Sequence, residues 1–154
     1  MKIAVQGCGA VGSYLCQYLH EAGARLTVSD INHQRAQDIA QLYKAEVVAV
    51  DQVHRVKADV FAPCALGGIL NEKTIPELQV NIVAGGANNQ LLNEHEDGAR
   101  LQERGILYAP DYVINAGGLI NVAHELKGYH QEAAKGEATA IYDTLLKIYE
   151  EAEK

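Results

Sequence analysis

Cysteine is scarce, basic charge is in deficit, and no long apolar run occurs in the 154 residues. Cys8, Cys16 and Cys64 are odd in number and scattered, which argues against a disulfide framework and gives no zinc-ligand spacing. A reducing cytoplasm is the expected setting. Thirteen Lys and Arg against twenty Asp and Glu leave a net charge of -7. A nucleic-acid surface needs a basic patch to neutralise phosphates, so no nucleic-acid partner is expected. No stretch approaches the ~20 apolar residues of a membrane span. Met1-Lys2 leads into a strand-like run without the layout of a signal peptide. No linker or low-complexity tract divides the chain, so residues 1–154 are expected to form one domain. That length buries roughly 70% of the unfolded chain's surface, and 48% apolar with 21% charged residues is ordinary for a soluble globular protein.

What is present alternates. "KIAVQ" is a short β-branched run, and "AVGSYLCQYLHEAG" follows it with Val11, Leu15, Tyr18, Leu19 and Ala22 at helical spacing. That spacing predicts a helix that buries those five, closed at Gly23 by a left-handed cap. "RLTVSD" reads as the second strand and "NHQRAQDIAQLYK" as the second helix, with Asn32 as N-cap. Further strand-like runs follow at "EVVAV", "DVFAP", "VNIVAG" and "GILYAP". Between them lie a loop ("DQVHRVKA"), a turn-like "NEKTIPEL" and a polar helix around "QLLNEHEDGARLQERG". The tail "EAAKGEATAIYDTLLKIYEEAEK" reads as one long helix weakened at Gly136. Six strands alternating with helices predict a Rossmann-type, doubly wound α/β fold: a mostly parallel sheet with helices on both faces.

Three later strands each run toward a glycine pair: Gly67-Gly68, Gly85-Gly86 and Gly117-Gly118. In an open parallel sheet the carboxyl ends of the strands line the ligand crevice. Glycines there let backbone approach a ligand closely, or permit positive φ.

The most informative stretch is Gly7-Cys8-Gly9-Ala10-Val11-Gly12, a complete G-x-G-x-x-G. Alone the pattern is weak. Here it follows a strand, opens a helix, and is followed by Asp30 at the end of the second strand, as a dinucleotide fingerprint requires. Gly7 permits the tight turn, Gly9 admits a pyrophosphate to the backbone, and Gly12 lets helix pack on strand. The helix amino terminus offers unpaired N–H donors and partial positive charge to phosphates. Asp30, with its neighbour Ile31, is assigned to the cofactor, the carboxylate accepting from adenosine ribose hydroxyls. A 2′-phosphate would meet that carboxylate, and no Arg or Lys follows until Arg35. NAD is expected rather than NADP.

"DVFAPCALGGILN", "IVAGGANNQL" and "GILYAPDYVINAGGLINVAHEL", in this order after the fingerprint, resemble the cofactor domain of the leucine/phenylalanine/valine dehydrogenases, relatives of glutamate dehydrogenase. The resemblance runs from about Lys2 to the terminal helix. It implies oxidation of a hydrophobic L-amino acid, with hydride transfer to NAD, and hydrolysis of the imine to a 2-oxo acid and ammonia. It also implies that the catalytic lysines and aspartate belong to a separate domain absent from this chain. The parent enzyme is then expected to be a homo-oligomer, and this chain to bind NAD without turnover and to carry no catalytic residue of its own.

By the same resemblance, Cys64 and Ala65 lie near the ribose and nicotinamide end of the cofactor. Asn88 and Asn89 fall where the family places an asparagine between nicotinamide ribose and substrate, and family members differ in which position is filled. Asn115 is expected to approach the nicotinamide. Leu119 and Val122 match positions lining the pocket for the substrate side chain, joined on the substrate side by Asn89. Glycine at Gly12, where several leucine-type enzymes carry alanine, blurs the subfamily.

Plainer roles compete for several residues. A thiol at a helix amino terminus can be acidified, but Cys8 is expected simply to fill the x position, and Cys64 to line the ligand without acting as a nucleophile. His124-Glu125 and the "NEHEDG" cluster lack any metal-ligand spacing, so no metal is expected. Asp111 is expected to cap the segment that follows it. The main rival function is a stand-alone NAD-sensing regulatory module of a transport system, which also opens on a strand and glycine fingerprint. It leaves "PCALGG" and "NAGG" unexplained. A methyltransferase is weaker still, because the G-x-x-G spacing favours a dinucleotide.

Overall fold

In the computed structural model, which describes residues 1–126 and 131–152, each of the six apolar runs contributes a strand to one sheet, the third, fifth and sixth of only two residues. They are β1 (Lys2–Gln6), β2 (Arg25–Ser29), β3 (Glu46–Val47), β4 (Val60–Pro63), β5 (Ile82–Val83) and β6 (Leu107–Tyr108). Every pairing is parallel, in the order β3-β2-β1-β4-β5-β6. The order reverses between β1 and β4, and a crevice opens there at the carboxyl ends of the strands.

Strand residues alternate between two cores, as the period of two demands. Ile3, Val5, Leu26 and Val28 pack with Cys16, Ala36 and Ile39 of the first two helices. Ala4, Phe61 and Val83 face the other way, onto Val53, Ile75, Leu78 and Leu101. The helices are α1 (Ala10–Glu21), α2 (His33–Tyr43), α3 (Glu94–Glu103), α4 (Asp111–Ile114), α5 (Gly117–Leu126) and α6 (Gln131–Ala152). The loop and the turn read from the sequence each hold one turn of 3-10 helix, at Val53–Arg55 and Ile75–Glu77.

Three local readings hold. Gly23 follows α1 with φ +81°. The Asn32 side chain accepts the N–H groups of Gln34 and Arg35 at 3.1 and 3.3 Å. The terminal helix runs unbroken through Gly136 to Ala152, and the last two residues of the expected helix, 153–154, lie outside the described residues.

Two readings are corrected. The face of α1 that meets the sheet is Gly12 and Cys16, flanked by half-buried Leu15 and Leu19. Val11, Tyr18 and Ala22 are exposed. The cause is steric: a Cβ at Gly12 would stand 1.9 Å from the Gly7 carbonyl oxygen. The helix start is pressed so hard on the strand turn that only the smallest side chains fit beneath it. The polar helix, in turn, begins only at Glu94. Asn93 accepts the Glu96 N–H while Asp97 accepts the Asn93 N–H at 2.8 Å, a reciprocal cap. Gln90, Leu91 and Leu92 are therefore loop.

Candidate functional site

The crevice is a cleft of about 450 Å³, lined by the Gly7 and Gly9 backbone, the ends of β1 and β2, and the Cys64–Ile69 segment after β4. Of the residues expected to hold a cofactor, Gly7, Gly9, Asp30, Ile31, Cys64 and Ala65 line it.

The three fingerprint glycines differ in what requires them. Gly7 has φ +97°, and a Cβ there would lie 2.8 Å from the Cys64 carbonyl oxygen. Gly12 is held under α1, as described. A Cβ at Gly9 would meet no protein atom within 4 Å. The fold itself therefore explains Gly7 and Gly12 but not Gly9.

Asp30 braces the loop. Its carboxylate accepts the Cys8 N–H at 2.7 Å and the Asn32 N–H at 2.7 Å, one on each oxygen. Each oxygen keeps a further lone pair for a ligand. Arg35 reaches the same cleft. So do Gln6, Ser29 and Val50, none of which the sequence reading assigned to it. The available signal was a polar residue closing each of two apolar strand runs, at Gln6 and Ser29.

The remaining fingerprint residues stand aside. Ala10 and Val11 are exposed on α1. The Cys8 side chain is buried with its Sγ 3.9 Å from the Ser29 carbonyl oxygen. Burial, then the charges of Asp30 and Cys64, push the Cys8 thiol up to about 11. The acidifying helix terminus does not prevail, and Cys8 is a filler. Burial also pushes the Cys64 thiol up, against the Gly86 N–H that it accepts at 3.5 Å. A protonated thiol is no nucleophile.

The expected nicotinamide end is built from chain segments far apart in sequence. Asn115, closing α4, donates its side-chain amide to the Asn88 side-chain oxygen. Asn89 instead adopts left-handed backbone, φ +50°, and its carbonyl accepts the Gly68 N–H at 2.8 Å. The residue lines a separate groove with Leu92, Asp111 and Tyr112. Leu119 and Val122 stand on α5 with exposures of 74% and 50%. Asp111 does not cap α4, whose N-cap is Pro110 without a side-chain bond. Its carboxylate accepts the Gln90 N–H at 2.8 Å and ties down the loop after β5.

The glycine pairs divide in the same way. Gly85 lies against Pro63, whose carbonyl oxygen would be 2.2 Å from an added Cβ, and Gly67 packs on the backbone of Asn88 and Asn89. Gly68 has φ +74°. These serve the fold. Gly117 and Gly118 open α5 with nothing within 4 Å of an added Cβ. Among the described residues no group of His, Cys, Asp and Glu could hold a metal ion. No helix among them is long and apolar enough to cross a membrane.

A sequence model of the Glutamate/Leucine/Phenylalanine/Valine dehydrogenase family matches residues 27–152. L-tryptophan dehydrogenase of Nostoc punctiforme is 53% identical over 154 residues, 100% of this chain and 44% of that protein. Leucine dehydrogenase of Thermoactinomyces intermedius is 52% identical over 152 residues, 99% of this chain and 41% of that protein. The crystal structure of L-tryptophan dehydrogenase from Nostoc punctiforme superimposes with a TM-score of 0.98 at 54% identity, covering 99% of this chain and 46% of that one. The chain thus spans less than half the length of these relatives.

Proposed function

This chain belongs to the glutamate/leucine/phenylalanine/valine dehydrogenase family, and from that premise we propose that it is the NAD-binding domain of an L-amino-acid dehydrogenase. The reaction oxidises a hydrophobic L-amino acid at its α-carbon, passes the hydride to NAD, and releases the 2-oxo acid and ammonia after imine hydrolysis. Bound NAD supplies the hydride acceptor. This chain's residues hold and orient it.

One observation carries the reading. Gly9 faces the cleft, and no protein atom accounts for the missing side chain there. A dinucleotide fits the donors present: the α1 amino terminus for the pyrophosphate and the free lone pairs of Asp30 for ribose hydroxyls. Asn88, oriented by Asn115, is the asparagine we assign to the nicotinamide end, with Cys64 and Ala65 beside it. Asn89 is assigned a backbone role in the turn. Leu119 and Val122 are assigned to the substrate side-chain pocket.

Among the described residues the cleft is lined by no acid–base pair suited to amino-acid oxidation, and we place those groups in a separate domain of the parent enzyme. The stand-alone sensing module gains no support from the relatives found. The free cysteines suit the reducing cytoplasm, where we place the parent as a homo-oligomer. Calorimetric titration tests the reading: the chain should bind NAD saturably and produce no NADH from leucine, valine or phenylalanine. Absence of NAD binding would overturn it.

A further inference from the structure

Among the described residues four buried side-chain atoms have no hydrogen-bond partner: Gln6 Oε1, Ser29 Oγ, His54 Nδ1 and Gln90 Oε1. The first two are neighbours. Gln6 and Ser29 are register partners at the ends of β1 and β2, so their side chains leave the same face of the sheet. That face carries Ala4 and Phe61, and the cleft wall continues on it through Val50 and Ile69. Both residues line the cleft, at 7% and 0% exposure.

Their backbones are fully used by the fold. The Gln6 carbonyl accepts the Cys64 N–H at 2.7 Å, and the Ser29 carbonyl accepts the Gly7 N–H at 2.7 Å. Their side chains are not. An unmet buried polar atom costs its desolvation, and an apolar group of the same shape would avoid that cost. The core beneath uses Ala4 and Phe61 at comparable depth. These two orphaned polar groups, unlike those of His54 and Gln90, stand where strands end and the cleft begins.

We infer that the Gln6 amide and the Ser29 hydroxyl form the polar floor of the cleft and are satisfied by the bound dinucleotide. The inference rests on the NAD-binding reading and adds two cofactor-positioning residues outside the fingerprint. The chemistry matches in both directions. A serine hydroxyl donates or accepts, and an amide offers an oxygen on one side and N–H donors on the other. A dinucleotide presents ribose hydroxyls that donate and phosphate oxygens that accept. Binding then gives both groups a partner without adding charge to the cleft.

Two variants of the chain test this, Ser29→Ala and Gln6→Leu, each measured by calorimetric titration with NAD and by melting with and without NAD. Both should weaken NAD binding by about five-fold or more and shrink the NAD-induced rise in melting temperature. The free Gln6→Leu chain should melt no lower than the unmodified one, since it loses an unmet polar atom. A purely structural role would move the free melting temperature and leave affinity alone. Affinity equal to that of the unmodified chain in Ser29→Ala, which removes only a hydroxyl and decides the matter if Gln6→Leu fails to fold, overturns the inference while NAD binding by the unmodified chain stands. If the unmodified chain binds no NAD, the functional reading falls as well.

Discussion

Asp30 reaches back 22 residues to accept the Cys8 backbone N–H at 2.7 Å. The acid of the fingerprint is thereby a structural member of the glycine loop as well as the group proposed to meet the ribose. Its other oxygen accepts the Asn32 N–H at 2.7 Å, so one carboxylate joins the first βα turn to the start of the second helix. A group held at two points loses little freedom when a ribose hydroxyl arrives, which is how preorganisation raises affinity.

Cofactor choice follows from this carboxylate and from Arg35, which reaches the same cleft. NAD should bind at least about ten-fold tighter than NADP, a difference of about 1.4 kcal/mol. Asp30→Ala should weaken NAD and strengthen NADP relative to it, because Arg35 is left to meet a 2′-phosphate. The double variant Asp30→Ala/Arg35→Ala should lose that gain. Equal affinities of the unmodified chain for the two cofactors, by titration, would defeat the assignment of Asp30.

Glycines required by a ligand and by the fold should fail in different ways. Gly9→Val places its side chain where no protein atom lies within 4 Å of the Cβ, so the melting temperature should hold while dinucleotide binding disappears. Gly85→Ala drives a Cβ to 2.2 Å from the Pro63 carbonyl oxygen. It should cost about 1–3 kcal/mol of stability through overpacking. Denaturant unfolding and NAD titration on the two variants separate the cases, and a folded Gly9→Val chain that still binds NAD would contradict the first.

The strands themselves and the fingerprint could be read from sequence because each rests on neighbours in the chain: apolar runs, turn glycines, an acid after the second strand. Contacts across the chain could not. Asn115 meets Asn88 across 27 residues, and no spacing rule encodes that pairing. The face of α1 was misread for a related reason. Hydrophobic periodicity ranks Val11 and Tyr18 above Gly12, yet the approach of helix to turn reserves the inner face for glycine and Cys16. Gln6 and Ser29 escaped notice because a polar residue after a strand ordinarily marks only where the strand stops.

The buried thiols give a pH dependence of defined sign. Burial, then the nearby Cys8 and Cys64, push the Cys16 thiol up to about 12, and Cys8 stands at about 11. An unfolded cysteine titrates near 8.5. A raised folded value means stability fully present below about pH 8.5 and lost as pH climbs through 11 to 12. Both thiols should resist alkylation in the native chain at pH 8 and react once it is unfolded. Stability should decline above about pH 9, and Cys16→Ala should flatten that decline while costing some core packing. Rapid alkylation of Cys8 at pH 8 in the folded chain would show its thiol to be acidic after all.

Leu119, if it lines the proposed substrate pocket, should bear on the substrate preference of the parent enzyme. This side chain stands on α5 one position after Gly117-Gly118, 74% exposed, with open space beside both glycines. Assigned to the substrate pocket, it takes up volume that a smaller residue would leave to an aromatic ring. Hydrophobic pockets discriminate by about 1–3 kcal/mol per missing or surplus group, and overpacking costs a similar amount. Branched aliphatic substrates, leucine or valine, should therefore be preferred to phenylalanine in the full-length enzyme. Leu119→Ala should move kcat/KM toward phenylalanine by about ten-fold or more, the rate equivalent of about 1.4 kcal/mol. NAD affinity should barely change, because Leu119 is not among the described residues lining the cleft beside the glycine loop. If phenylalanine is already the best substrate of the unmodified enzyme, the pocket is set by Val122 or by the catalytic domain, and Leu119 does not limit it.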